Sequence, residues 1–318
     1  MSKKECIFLL PKLNTSGGNT EIMYLKKNLF ENGIKIKVIP LFGSEKHEIK
    51  GVFNHLKHWH QIIKNSHNYK SILLGHYTTL FFSILLNRKV QKTIFVQSLE
   101  WKVISKNIYL QKISKLLHFI CLMGVKNFIF ANNILKEEYE KDFLISKIFQ
   151  LKFKNKVIYP VGHKIFSELP VKSHRDIDIF LILRNNWVKR YELYLDTLYF
   201  LLNKDTKFNL RIINLSSNII PKWIQNFQNV EISGAVSHEQ LFMIYQKSKI
   251  FLYLSFYEGF GLPPLEAMSQ GCIPIITNNM GCTNYIDSYS DLVLKTNSIP
   301  KNIVKKIETI LNEKDYEK

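Results

Sequence analysis

Cysteine is scarce in this sequence. Four are spread over 318 residues, at Cys6, Cys121, Cys272 and Cys282, and no two form a Cys-x-x-Cys pair. The spacing supplies neither a disulfide framework nor a zinc-ligand set, and it fits a chain that stays reduced. Long apolar runs are missing too. Residues 71–87, SILLGHYTTLFFSILLN, carry no formal charge, but they fall short of the roughly 20 residues that a spanning helix needs. His76, Tyr77, Thr78 and Thr79 interrupt the run, which reads as a short buried strand followed by a core helix. The opening stretch, MSKKECIFLLPKLN, starts basic, yet its apolar run is only about six residues and no small-residue cleavage site follows, so no signal peptide is expected. A cytoplasmic protein is the simplest expectation from these absences. Acidic residues are also few: 26 against 44 lysines and arginines, a net charge of +18. Such a balance favours anionic partners, whether nucleic acid, a phospholipid surface or a phosphorylated ligand. It equally fits a solvated, lysine-rich surface encoded by an AT-rich gene. No nucleic-acid motif accompanies the charge, and no nucleic-acid partner is expected.

What the chain does have is alternation. CIFLL is a run of strand length, followed by the glycine-bearing PKLNTSGGNT and the amphipathic EIMYLKKNLFENG, where Ile22, Leu25 and Leu29 recur at helical spacing before Gly33. IKIKVIPLF then alternates apolar residues with lysines, as a half-buried strand does. Strand, glycine turn, helix, strand is a βαβ unit. SILLG, TIFVQ and NFIFAN continue it as buried parallel strands. Residues 160–176 are polar and carry Pro160, Gly162 and Pro170, which marks a linker. Afterwards IDIFLIL, NLRIINL, VEISG, IFLYLS and CIPIIT alternate with helical stretches. The last helix places Ile303, Val304, Ile307, Ile310 and Leu311 on one face. The expectation is an α/β protein of two Rossmann-like, doubly wound parallel-sheet domains. Residues 1–165 form the first domain and 166–298 the second, with a C-terminal helix over 299–318 packing back on the first.

One stretch carries most of the functional information: FYEGFGLPPLEAMSQG, residues 256–271, which directly follows the strand KIFLYLS. Ligands of open parallel sheets bind beyond the carboxyl ends of the strands. Gly259 and Gly261 let backbone amides approach a ligand, Pro263 or Pro264 suits the first turn of the helix LEAMSQ, and Gly271 ends it. A helix N-terminus there favours phosphate. Glu258 at the strand end and Glu266 in the first helical turn can each accept hydrogen bonds from hydroxyls, with the phosphate loop between them. A ligand with hydroxyls at both ends and phosphate in the middle matches: sugar, diphosphate, ribose. That is a nucleotide sugar.

The string EGFGLPPLEAMSQGCIPIITNNMG resembles the signature of the retaining GT-B glycosyltransferases of family four, with its E-x7-E pair. PKLNTSGGNTEIMYLKKNLFENGIKIKVI, VIYPVGHKIF and VEISGAVSHEQLFMIYQKSKIFLYLS extend the likeness over most of the chain. The resemblance implies a GT-B fold, two such domains facing across a cleft, and a donor site of Gly17, Gly18, Gln97, Arg184, Lys189, Glu258, Gly259, Phe260, Gly261, Leu262 and Glu266. Arg184 and Lys189 of LRNNWVKR match the basic pair that grips the diphosphate; with Glu258 they are the residues expected to act in catalysis. Two family glycines are replaced there, by Leu183 and Arg190, so a different turn is expected. FVQSLEW resembles the VQ-x-x-E string of members that build bacterial rhamnose-containing polysaccharides. It places Gln97 near the sugar and makes Glu100, with His76, a candidate on the acceptor side.

The implied reaction is transfer of a hexosyl unit from a UDP- or dTDP-linked sugar to a hydroxyl of a glycan or lipid-linked acceptor, with retention, in bacterial surface polysaccharide synthesis. No cofactor or metal is expected; the DxD string at Asp176–Asp178 precedes a strand and reads as its lead-in. Residues 102–127, lysines mixed with a broad apolar face, fit either a core-packed helix or one lying on an anionic membrane at the inner face of the cytoplasmic membrane. A non-catalytic sugar-nucleotide sensor is the competing reading, and an epimerase of nucleotide sugars a more distant one.

Overall fold

The computed structural model describes residues 6–11, 17–42, 52–75, 77–122, 124–125, 127–143, 154–159, 174–204, 208–216, 220–287 and 290–312. The chain divides into two compact units, Met1–Val161 and Gly162–Lys318. The expected linker lies mostly outside the described residues.

The first unit is a six-stranded, all-parallel sheet of order β2-β1-β3-β4-β5-β6. Its strands are β1 (Cys6–Leu10), β2 (Ile36–Pro40), β3 (Ser71–Leu74), β4 (Gln91–Val96), β5 (Asn127–Phe130) and β6 (Lys154–Val157). β1 is apolar throughout because helices cover both faces of its sheet; Ile7 to Leu10 are all buried. Helix α1 (Gly17–Glu31) follows β1 and stops where the pattern predicts. Gly33 is left-handed (φ +78°), Ile34 N–H donates to Leu29 O at 2.8 Å and Gly33 N–H to Phe30 O at 2.9 Å, a Schellman ending. α2 (Val52–Asn65) precedes β3.

The run at 71–87 does begin as a buried strand, β3. The core helix expected after it is instead two single turns, α3 (Tyr77–Leu80) and α4 (Phe82–Leu85). Four residues per turn-long helix cannot bury all of so apolar a stretch, and Ile84 and Leu85 are exposed. α5 (Glu100–Val103) and α6 (Ile108–Leu122) follow β4, and α7 (Asn133–Phe143) follows β5. They close an aromatic cluster of Trp101, His118, Phe128, Phe130 and Tyr139, within which His118 Nε2 and the Tyr139 hydroxyl share a 2.9 Å hydrogen bond. Burial drives the His118 imidazole down to about 3, so it is neutral.

The second unit is again six parallel strands, in the order β12-β11-β10-β7-β8-β9. These are β7 (Ile177–Leu183), β8 (Leu210–Asn214), β9 (Val230–Ser233), β10 (Ser248–Tyr253), β11 (Ile273–Thr277) and β12 (Val293–Leu294). Between them run α8 (Tyr191–Leu202), the single turn α9 (Lys222–Gln225), α10 (His238–Lys247) and α11 (Leu262–Ser269), and α12 (Pro300–Asn312) closes the unit. Strand alternation splits the core in two. Ile179, Leu181 and Leu183 of β7 face α8 and α12, while Phe180 joins Phe242, Tyr245 and Ala267 of α10 and α11.

The C-terminal helix packs its apolar stripe of Ile303, Val304, Ile307 and Ile310 into the second unit's own core, beside α8. An amphipathic helix has one face to bury, and here α8 takes it. Ile307 is fully buried; Ile307→Ala should cost about 2–5 kcal/mol by urea unfolding, and a change within error would mean that α12 is dispensable to this core.

Candidate active site

In the second unit the strand order reverses between β7 and β10. These neighbours pair directly, Ile179 with Ile250 and Leu181 with Leu252. Their onward connections leave in opposite directions, to β8 on one side and β11 on the other. The loops beyond them therefore part, and a crevice opens at the carboxyl ends. The loop after β7 carries Arg184 and Lys189, and the segment after β10 carries Glu258 to Leu262.

Lys189 and Glu258 meet in this crevice. The Lys189 ammonium donates to Glu258 Oε1, with side chains 21% and 14% exposed. It also donates to the Tyr253 hydroxyl at 3.0 Å and lies 5.2 Å from the centre of that ring. Burial, and next the Glu258 charge, raise the Tyr253 phenol well above its ordinary value, so it stays protonated. One backbone bond ties the two loops together, Phe256 N–H donating to Val188 O at 2.7 Å, and within the first loop Lys189 N–H donates to Asn186 Oδ1 at 2.7 Å. Arg184, one residue beyond the strand, is exposed and forms no ion pair among the described residues. The structure thus brings Lys189 to Glu258 and leaves Arg184 on the rim.

The two departures from the family's basic-pair motif resolve differently. Leu183 is simply the last, fully buried residue of β7. Arg190 takes φ 55° and ψ 48°, the left-handed conformation that glycine adopts without cost. The turn expected to differ is therefore glycine-like, and the arginine offsets part of its strain by donating to Thr296 O at 2.6 Å.

Glu258 is held from behind. Its N–H donates to Asn279 O at 3.0 Å, and it forms an isolated parallel bridge with Met280. A Cβ on Gly281 would fall 2.7 Å from Glu258 O, so this approach requires glycine. Phe260 is buried against Tyr285, whose hydroxyl donates to Gly261 O. Gly261 caps α11 with φ +82°, and a Cβ there would clash with Cys282 Sγ. α11 starts at Leu262, three residues before the expected LEAMSQ, which puts Pro263 and Pro264 in its first turn. Glu266 is consequently the fifth helical residue, one turn further in than expected. Burial pushes its carboxyl up to about 7. The helix closes as expected at left-handed Gly271, φ +69°.

Asp178 sits at the other end of β7, bonded to Lys249 Nζ and Asn209 N–H, each at 2.8 Å. In the first unit, Gly17 and Gly18 open α1 beyond β1. Gln97 and Glu100, beyond β4, line one small hollow with Gly75, Ser98 and His118, about 10 Å³ in volume, room for roughly one water. Ser98 Oγ donates to Glu100 Oε1. His76 lies outside the described residues.

Residues 169–318 match the family model described as Glycosyl transferases group 1. The match takes in most of the second unit and just under half of the chain. Sequence relatives include the O-antigen chain mannosyltransferase B of Escherichia coli, 41% identical over 66 residues, 21% of this chain and 17% of that one. The GDP-mannose:cellobiosyl-diphosphopolyprenol alpha-mannosyltransferase of Xanthomonas oryzae is 36% identical over 72 residues, 23% and 18%. The matched segments thus cover less than a fifth of these relatives' own lengths. Among solved structures, sucrose-phosphate synthase from Thermosynechococcus elongatus has a TM-score of 0.75 at 15% identity, over 99% of this chain and 91% of that one. Anabaena HepE in complex with UDP and glucose gives 0.69 at 11%, over 99% and 91%. At such identities the likeness is one of fold: the chain has the GT-B class of two Rossmann-like parallel-sheet units.

Tyr253 and the Asn279–Cys282 loop behind Glu258 were not singled out by sequence reasoning. Tyr253 reads as one more aromatic in a buried strand; the loop had a signal, the NNMG that ends the string resembling the family signature. Two outcomes are expected. Gly281→Ala should lower stability by about 1–3 kcal/mol in urea, because the Glu258 backbone must move; an unchanged midpoint would show that the loop is not pressed against it. Glu266 has a folded pKa near 7 against an ordinary 4.5, so the unfolded state binds fewer protons across that window and stability falls as pH rises through it. Relative to Glu266→Gln, the wild type should lose about 2 kcal/mol between those pH values, allowing for partial exposure. Parallel stability curves would place the carboxyl in water.

Proposed function

We propose that the chain is a glycosyltransferase that moves a hexosyl unit from a nucleotide-diphosphate sugar to a hydroxyl of a glycan or lipid-linked acceptor, with retention at the anomeric carbon. The observation that carries this reading is the meeting of Lys189 and Glu258 at the switch point of the unit that matches the group 1 glycosyltransferase model. A cation that can reach a phosphate and a carboxylate that can accept sugar hydroxyls are held together there, beside the starts of α8 and α11, whose partial positive charge favours the same anion.

In this reaction the bond from the anomeric carbon to the diphosphate breaks, and one to the acceptor oxygen forms. The diphosphate leaves with the bonding electrons, and the acceptor proton passes to it. Lys189, Arg184 and the amides of Gly259 to Leu262 neutralise the charge growing on the leaving group. Glu258 orients sugar hydroxyls, and Glu266 takes the ribose hydroxyls. Gly17 and Gly18 bring amides to the phosphate or the transferred sugar, and Gln97, Glu100 and His76 serve the sugar and acceptor side. No metal is needed in this scheme.

The donor is UDP- or dTDP-linked, with rhamnose favoured by FVQSLEW. GDP-linked donors enter the comparison through the name of the Xanthomonas oryzae relative, and UDP through the HepE complexes. The pathway is bacterial surface polysaccharide synthesis, and the location is the cytoplasm, at the inner face of its membrane.

The test is a thermal-shift panel of UDP, dTDP, GDP and their sugar conjugates on wild type and Glu266→Ala, followed by assay of donor hydrolysis. Ligand at about 100 times its dissociation constant should stabilise the wild type by roughly 2.7 kcal/mol and raise its midpoint by several degrees. The variant should shift much less. Slow release of free sugar from the stabilising donor is the expected sign of an enzyme. Binding without any hydrolysis or transfer would favour a sugar-nucleotide sensor, and no shift with any nucleotide would remove the donor reading.

A further inference from the structure

We propose that the outer face of α4 and α6 in the first unit is a docking surface for an anionic phospholipid bilayer. α6 is anchored by one side only: His118, Cys121 and Leu122 are buried. The other side carries Tyr109, Ile113, Leu116 and Ile120 at 71%, 55%, 60% and 39% exposure. Steps of four, three and four residues align these into one stripe along a helix of 15 residues, about 22 Å long. α4 packs beside it, tied by Ser83 Oγ donating to Cys121 O at 2.7 Å, and adds Ile84 and Leu85 at 48% and 59%. A Cβ on Gly124 would lie 2.9 Å from Ser83 O, so the two elements are in close contact. An exposed apolar face on an element so fixed is not a core stripe awaiting repacking; it needs an occupant.

Charge decides which. From residue 76 to 126 the chain has eight lysines and arginines and a single acid, Glu100, against 44 and 26 for the whole. Lys102 and Lys115 are spent on Glu138 and Asp142. Lys106 and Lys112, at the start of α6 and beside its stripe, are exposed. An apolar stripe flanked by lysines is the pattern of a helix lying in the interface of an anionic membrane. A second copy is the poorer occupant, because a two-fold contact would set two cationic rims against each other. Among the described residues no helix is long and apolar enough to cross a membrane, so the geometry supports lying on the surface.

The proposal stands apart from the donor reading, since it concerns neither Lys189 nor Glu258. It is tested with the full chain by flotation with phosphatidylcholine vesicles, with and without phosphatidylglycerol, at low and high salt. Binding is expected only with the anionic lipid and should weaken with salt. The double variants Ile113→Ser/Leu116→Ser and Lys106→Glu/Lys112→Glu should each bind at least about tenfold more weakly. Their thermal midpoints and nucleotide-induced shifts should match those of the wild type. Failure of the wild type to float, equal flotation with neutral vesicles, or variants that float like the wild type would each overturn the proposal. So would a dimer in size exclusion that the serine variant dissolves while the wild type ignores vesicles.

Discussion

Everything at the candidate site follows from the pairing of β7 with β10. The two strands run parallel and exchange ladder bonds along their length, yet they are far apart in sequence and their crossovers go to opposite sides of the sheet. Right-handed connections leave no way to cover the rim between them. The backbone groups beyond Leu183 and Tyr253 must then find partners locally: Phe256 bonds Val188 across the two segments, Lys189 bonds Asn186 within its own loop, and Glu258 bonds Asn279 of the loop after β11. The crevice is a by-product of topology, and its rigidity is a by-product of satisfying its own backbone.

Within that frame the charges are arranged as pairs of unlike environment. Lys189 is neutralised by Glu258 while half out of water, a geometry in which removing either partner leaves a costly lone charge. Among the described residues Glu266 has no such cation, and burial discourages it from ionising. One carboxylate is therefore already committed as an acceptor, and the other gains from hydroxyl donors that would stabilise its charge. Two glutamates eight positions apart differ because one follows a strand into the rim and the other is carried inward by a helix that begins at Gly261.

Much of this was legible beforehand. The doubly wound pattern showed in runs such as CIFLL and IDIFLIL because parallel strands buried on two faces must be apolar throughout, and Gly33, Gly261 and Gly271 marked turns that only they occupy cheaply. What escaped reading has physical reasons. β6 is KNKV, an edge strand whose lysines hide it from any hydrophobicity pattern, and β12 has only two residues. The 71–87 run was too apolar to look like a strand followed by two single turns. Arg190 looked like a break in a glycine motif, although the backbone there keeps the glycine conformation and the side chain supplies a compensating bond.

The lysine excess has a consequence beyond any ligand. Two open sheets present four edges, each with unpaired backbone groups able to template another chain. β2 carries Lys37 and ends at Pro40, β6 carries Lys154 and Lys156, β9 has four residues with Glu231 among them, and β12 has two. Every edge is thus charged, curtailed or both. Strand-to-strand stacking of neighbouring molecules would have to bury these charges or start from a ladder two residues long. The chain keeps its apolar parallel strands inside and meets other copies of itself along edges that resist pairing.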